Sequence, residues 1–188
     1  MRTPVSDRRT QMLEAAVRVI AQDGVRGLRV EKLAAEAGVS TALIYYHFKD
    51  RAGILRAALE HVNHRALAYT SEETRSDVPR EQVEQMLLGE LRDDDRVRET
   101  SVAWGELRAS AAFHEELRAP LRTATEAWND DVAALVGQVR TDVDAGAVAE
   151  RLTALVEGLS ERWHSGTLTV DRARELLSGA IARELDGA

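Results

Sequence analysis

The chain has 188 residues, of which 44% are apolar and 30% charged, with a formal net charge of −7. That balance suits a globular protein of one or two small domains with a real core. It has no cysteine, which excludes disulfides, a thiol nucleophile and thiolate metal sites and fits a reducing, cytoplasmic setting. No apolar run approaches the ~20 residues of a membrane span, and MRTPVSDRR lacks the apolar stretch of a secretory leader.

Three prolines and abundant Ala, Leu, Arg and Glu favour an all-α fold. The periodicity predicts about nine helices, near 6–23, 30–37, 41–47, 51–73, 80–91, 96–112, 115–140, 146–165 and 170–185, with no competing strand pattern. The first carries an apolar face of Met12, Leu13, Ala16, Val17 and Ile20 and closes at Gly24. The next two form a tight pair. Leu33, Ala34 and Ala37 give a small apolar face, Gly38 suits a left-handed cap, Val39 can plug the gap, and Ser40 is a good N-cap. Thr41 to His47 follow, then Phe48. This is a helix-turn-helix pattern whose second helix suits the DNA major groove. A plain helical hairpin with an aromatic plug explains Ile44 and Phe48. It does not explain three consecutive polar-tipped rings, Tyr45, Tyr46 and His47.

Further along, Thr70–Pro79 has the polar composition of a linker. Asp93, Asp94 and Asp95 suit a loop feeding a helix N-terminus, where negative charge is favoured, better than a metal site. Pro120 either starts or kinks the seventh helix. Gly146 and Gly166 bound the eighth helix, and Thr169 or Asp171 opens the ninth. The last two helices show apolar stripes: Val148, Leu152, Leu155, Leu159 and Trp163, then Ala173, Leu176, Leu177, Ala180 and Ile181. His61 and His64 lie three apart beside Glu60, a spacing commoner for surface histidines than for metal ligands. The composition implies no metal site and no cofactor. Charge is divided: residues 1–65 carry 11 Lys and Arg against 7 Asp and Glu, net +4, and the remainder is net −11. A basic excess around the motif marks a nucleic-acid face.

With LAAEAGVS and YYHFKDRAGIL at this spacing, residues Arg9 to Ala58 resemble the TetR family of transcriptional regulators. Two positions depart from the family pattern. Arg29 stands where Ser or Thr usually precedes the first motif helix, and Arg51 replaces a lysine. The resemblance implies a helix-turn-helix DNA-binding domain over 1–50 and a helical ligand-binding and dimerisation domain over 51–188. The DNA-contacting set it implies is Arg29, Ser40, Thr41, Ala42, Leu43, Tyr45, Tyr46, His47, Lys49 and Arg51. Thr41, Ala42 and Leu43 would face bases, the tyrosines bases or backbone, and His47, Lys49 and Arg51 phosphate. Glu31 could accept from a cytosine amino group or simply be solvated.

The family also implies a homodimer formed by its last two helices, here through Leu152, Leu155, Val156, Leu159, Trp163, Leu177 and Ile181, although the stripes could equally complete the chain's own core. It implies a small-molecule effector site, for which Tyr69, Trp104, Leu107, Phe113, Leu121 and Trp128 are the candidate walls, unless these residues only fill core. Glu106 or Glu126 could meet a cationic ligand. The stretch LTALVEGLSERWHSGTLTVDRARELL is loosely similar to the choline-responsive branch. The function implied is a ligand-responsive regulator, not an enzyme. It would be a repressor that binds a palindromic double-stranded DNA operator as a dimer and is released by the effector, with no membrane partner. The alternative is a helical interaction or ligand-binding module without specific DNA binding.

Overall fold

The computed structural model describes residues 5–187, and within them the chain forms nine α-helices and no strand. Residues 1–4, part of the stretch weighed above as a leader, lie outside them. The helices are α1 (Val5–Gly27), α2 (Val30–Ala37), α3 (Thr41–Phe48), α4 (Arg51–Glu73), α5 (Pro79–Gly89), α6 (Asp95–Ser110), α7 (Glu115–Val139), α8 (Ala145–His164) and α9 (Val170–Leu185). All nine expected helices form. α1 runs past Gly24 but is interrupted there (φ 71, ψ 172). α4 ends at Glu73 as expected and so takes the first four residues of the Thr70–Pro79 stretch, whose hydroxyls bond back to the helix: Thr70 Oγ1 donates to Ala66 O, Ser71 Oγ to Leu67 O and, just past its end, Thr74 Oγ1 to Thr70 O. α7 begins five residues before Pro120 and continues beyond it. Asp94 caps α6 through Val97 N–H at 2.8 Å.

The described chain divides into two compact units. The first comprises residues through Arg65 together with Val102–Leu121, and the second Ala66–Ser101 with Arg122 onward. The first unit thus extends beyond the expected 1–50. In it, Met12, Val17 and Ile20 of α1, Leu33 of α2, Ile44 and Phe48 of α3 and Leu55 and Leu59 of α4 share one core with Leu107 of α6. Ion pairs tie the same helices at their rims, Arg18 to Glu36 at 2.7 Å and Glu14 to His61 and Arg65 at 2.7 and 3.1 Å. His61 therefore faces a carboxylate of α1.

In the second unit, α8 and α9 pack on each other and on α5. Leu152, Val156, Leu159, Trp163, Leu177 and Ile181 are all buried in that unit's own core beside Val83, Leu87 and Val136. Of the seven residues expected at a dimer interface only Leu155 keeps partial exposure. Most of the two apolar stripes is buried within the chain's own core. What α8 and α9 leave outside is a second face of small residues, Ala154 and Gly158 on α8 and Gly179 on α9, with Leu176 37% exposed. Neither Gly158 nor Gly179 has an atom near the place of a Cβ.

His164, at the end of α8, stacks on Trp163 with ring centroids 4.4 Å apart, and its Nε2 meets Ser101 Oγ at 2.8 Å. Burial first, and the Arg98 cation second, push its pKa from 6.5 down to about 4. The fold therefore holds the neutral imidazole. Its contribution is complete above pH 6.5 and is lost as pH falls through the window from 6.5 to about 4. Thermal unfolding followed from pH 7 to pH 4 should show His164→Gln losing less stability than the wild type, by about 1–3 kcal/mol. Parallel curves would rule this coupling out.

Candidate nucleic-acid interface

α3 is eight residues long and its two sides are sharply divided. Ile44 is fully buried and Phe48 5% exposed, while Leu43 and His47 are half-buried beside them. Thr41, Ala42, Tyr45 and Tyr46 form the opposite face, with Tyr45 49% and Tyr46 79% exposed. These positions recur at the three- and four-residue steps that share a helix face. Leu43 is partly buried and packs against the core, so the exposed part of the face runs through Thr41, Ala42, Tyr45 and Tyr46.

Both ends of α3 are held by local chemistry. Gly38 (φ 64) ends α2 in the left-handed region, and Val39 N–H closes the turn on Ala34 O at 2.9 Å. Ser40 Oγ accepts from Leu43 N–H at 3.2 Å, which makes it the N-cap. At the far end Lys49 has φ 67 and ψ −56, and Asp50 N–H bonds Phe48 O at 2.8 Å. That is a γ-turn with positive φ at a lysine, a strained arrangement. Asp50 then caps α4 through Gly53 N–H at 2.7 Å. Gly53 is obligatory here, because a Cβ would collide with the Phe48 carbonyl oxygen. The chain thus turns from α3 into α4 within two residues, leaving Lys49 exposed at the edge of the face.

Arg29 is exposed, extended (φ −107, ψ 148) and gives α2 no side-chain cap. Arg51 has partners inside the fold. Its guanidinium turns inward, donating from Nη2 to Val25 O at 2.7 Å and from Nε to Leu28 O at 3.3 Å. It holds the α1–α2 corner. The reading of the sequence missed Arg9, whose guanidinium carbon lies 5.6 Å from the Phe48 ring centroid and which is exposed. Its only sequence signal was basic charge near the motif. Which ring it reaches is a tertiary fact.

The expected effector residues are dispersed. Leu107 is fully buried in the first unit's core, with Trp104 and Leu121 packed against that core, and Phe113 is 83% exposed on the turn after α6. In the second unit Trp128 packs against the other core, and Tyr69 is buried with its hydroxyl donating to Glu90 at 2.6 Å. A small cleft of about 140 Å³ in the second unit is lined by Glu84, Gln85, Leu88, Gly89, Arg92 and Arg174, none of them in the expected set. Glu106 accepts a hydrogen bond from Val25 N–H.

Two family descriptions match the chain: bacterial regulatory proteins of the tetR family over residues 12–58, and the C-terminal domain of BetI-type transcriptional repressors over 79–186. The HTH-type transcriptional regulator BetI of Brucella melitensis is 25% identical over 183 residues, covering 96% of this chain and 92% of that protein. The crystal structure of a TetR-family regulator from Rhodococcus sp. is 45% identical with a TM-score of 0.90, over 96% of this chain and all of that one. A transcriptional regulator from Saccharomonospora viridis, solved in complex with choline, is 29% identical with a TM-score of 0.83, over 94% of this chain and 96% of its own.

The α3–α4 junction gives a paired prediction. Gly53→Ala should lower stability by about 2–4 kcal/mol through its clash with the backbone. Lys49→Gly should instead raise it by about 1–2 kcal/mol by removing the positive-φ strain. Thermal melts of the two variants moving in the same direction would contradict the geometry of this turn.

Proposed function

The chain belongs to the TetR family of bacterial transcriptional regulators, in the branch with a BetI-type C-terminal domain, and from that premise we propose how its residues read DNA and answer a ligand. The protein is a ligand-responsive DNA-binding regulator and not an enzyme. The observation that carries the reading is the divided α3: one side is committed to the core, and the other presents Thr41, Ala42, Tyr45 and Tyr46 with nothing of its own fold to bury.

In this reading α3 lies in the major groove of double-stranded DNA. Thr41 and the tyrosine hydroxyls hydrogen-bond base edges or backbone, and Ala42 touches a thymine methyl. Phosphates are held by Lys49, His47, Arg29 and Arg9, and by the amides that open α3 beside Ser40. The +4 balance of residues 1–65 favours the polyanion, and the acidic remainder turns the rest of the molecule away from it. A twofold dimer reads two half-sites of a palindromic operator about 34–36 Å apart, and the protein acts as a repressor. The face open to the mate is Ala154 and Gly158 with Leu176 and Gly179, exposed residues that the chain's own core does not use, bordered by the partly buried Leu155. Small residues there let helix backbones approach closely.

The effector has the chemistry of choline, a small quaternary ammonium. The Saccharomonospora viridis relative supports this, and so does the behaviour of the aromatic residues. Arg108 lies 5.7 Å from the Trp104 ring and Arg92 6.0 Å from the Tyr69 ring, so these faces already attract cations of the chain itself. Release requires the cation to bind the non-operator conformation better than the operator-bound one.

The test is footprinting on DNA upstream of the protein's own gene, with choline added afterwards. Twofold-symmetric protection is expected. Tyr45→Ala should weaken operator binding by about 1–3 kcal/mol, and Arg9→Gln should reduce the salt slope by about 1 while sparing sequence preference. Gly158→Glu with Gly179→Glu should sediment as a monomer. Unchanged affinity for Tyr45→Ala would remove α3 from the interface, and a dimeric double variant would move the contact to another face.

A further inference from the structure

The corner between α1 and α2 is gripped at one peptide unit from two directions. Gly24 interrupts α1, and the freed Val25 N–H is accepted by Glu106 Oε2 of α6 at 3.2 Å. The Val25 carbonyl accepts from Arg51 Nη2 of α4 at 2.7 Å, and Arg51 Nε reaches Leu28 O at 3.3 Å. Val25 and Leu28 are 1% and 2% exposed, so water is a poor substitute for either partner. The carboxylate occupies space that only glycine leaves open, because a Cβ on Gly24 would sit 2.7 Å from Glu106 Oε2. Five residues after Val25 the chain enters α2, which packs directly on α3.

We propose that Glu106 is a positioning residue for operator binding: from α6 it fixes the Val25 peptide, and with it the orientation of α2 and α3. The inference rests on the DNA-reading role of α3 given above. α6 is suited to this work, because its residues from Val102 belong to the same unit as α1–α3 while its first turns belong to the other unit. The bond is charge-assisted, N–H to carboxylate. A glutamine retains an acceptor oxygen in the same place, and an alanine does not. An exposed glutamate that is merely solvated would be indifferent to both changes.

The experiment uses the full-length protein and a duplex that the wild type selects from a random-sequence pool, with an unselected duplex as control. Glu106→Ala should bind the selected duplex about tenfold more weakly and keep its affinity for the unselected duplex and its salt slope, since no phosphate contact is removed. Glu106→Gln should bind as the wild type. Amide exchange at Val25 should quicken, and the α2–α3 amide resonances shift, in the alanine variant alone. Wild-type binding by Glu106→Ala, or equal losses on both duplexes, overturns the proposal. If the wild type selects no duplex, the DNA-reading role itself fails. In that event the Val25 exchange and α2–α3 resonances still decide whether Glu106 holds the corner.

Discussion

An isolated helix of eight residues is not stable in water, because too few hydrogen bonds offset the fixing of its first turn. α3 has eight residues, so everything that makes it a rigid surface is borrowed. Ile44 and Phe48 anchor it in a core that α1, α2 and α4 build together. Ser40 supplies one missing acceptor at its start. At its end there is no room for a relaxed exit: Lys49 takes a strained turn, and only glycine at position 53 lets α4 begin against the Phe48 carbonyl. Strain of about 1–3 kcal/mol persists only where the surroundings over-determine it. Here the surroundings are Asp50, which caps the next helix, and Phe48, which is locked in the core.

The same dependence explains why a guanidinium is spent on backbone carbonyls. Two residues separate the last residue of α1 from the first of α2, and carbonyls at the end of a helix lack partners within it. Arg51 satisfies Val25 O and Leu28 O with a side chain that always carries its charge. A lysine could hold one of these carbonyls, but its ammonium lacks the planar fork that spans two. The arginine at this position therefore has a local reason, independent of DNA.

Local chemistry was readable from the chain, and direction was not. The helix-turn-helix could be recognised because its determinants act within a few residues: Gly38 as a left-handed cap, Ser40 as an N-cap, Ile44 and Phe48 one turn apart. The inward turn of Arg51 and the placing of Arg9 over Phe48 depend on neighbours 23 to 39 residues away in sequence, and the packing of Leu43 depends on a core that several helices share. The α8 and α9 stripes were found correctly as buried surface. Periodicity shows that a face is covered, however, and not whether the cover comes from α5 of the same chain or from another chain. Thr70–Glu73 carried two expectations, the end of the helix over 51–73 and the start of a linker, and the helix prevails because hydroxyls that suit a loop also bond back to a helix.

The assignment of α8 and α9 has a consequence for how such a regulator assembles. With the large residues Leu152, Leu159, Trp163 and Ile181 buried in one chain, the mate in the proposed dimer would be met by what remains exposed, chiefly Ala154, Gly158 and Gly179 with Leu176. Flat small-residue faces bury less apolar area per residue than leucine stripes, but they allow closer helix approach and tolerate a slight rotation or slide without opening a cavity. A leucine stripe interlocks and resists such movement. A dimer built on the smaller faces can hold two reading helices at a half-site spacing and still change their relation when a ligand binds. The division follows from the residues: large side chains on α8 and α9 build the chain's own core, and small ones are left on the outer face.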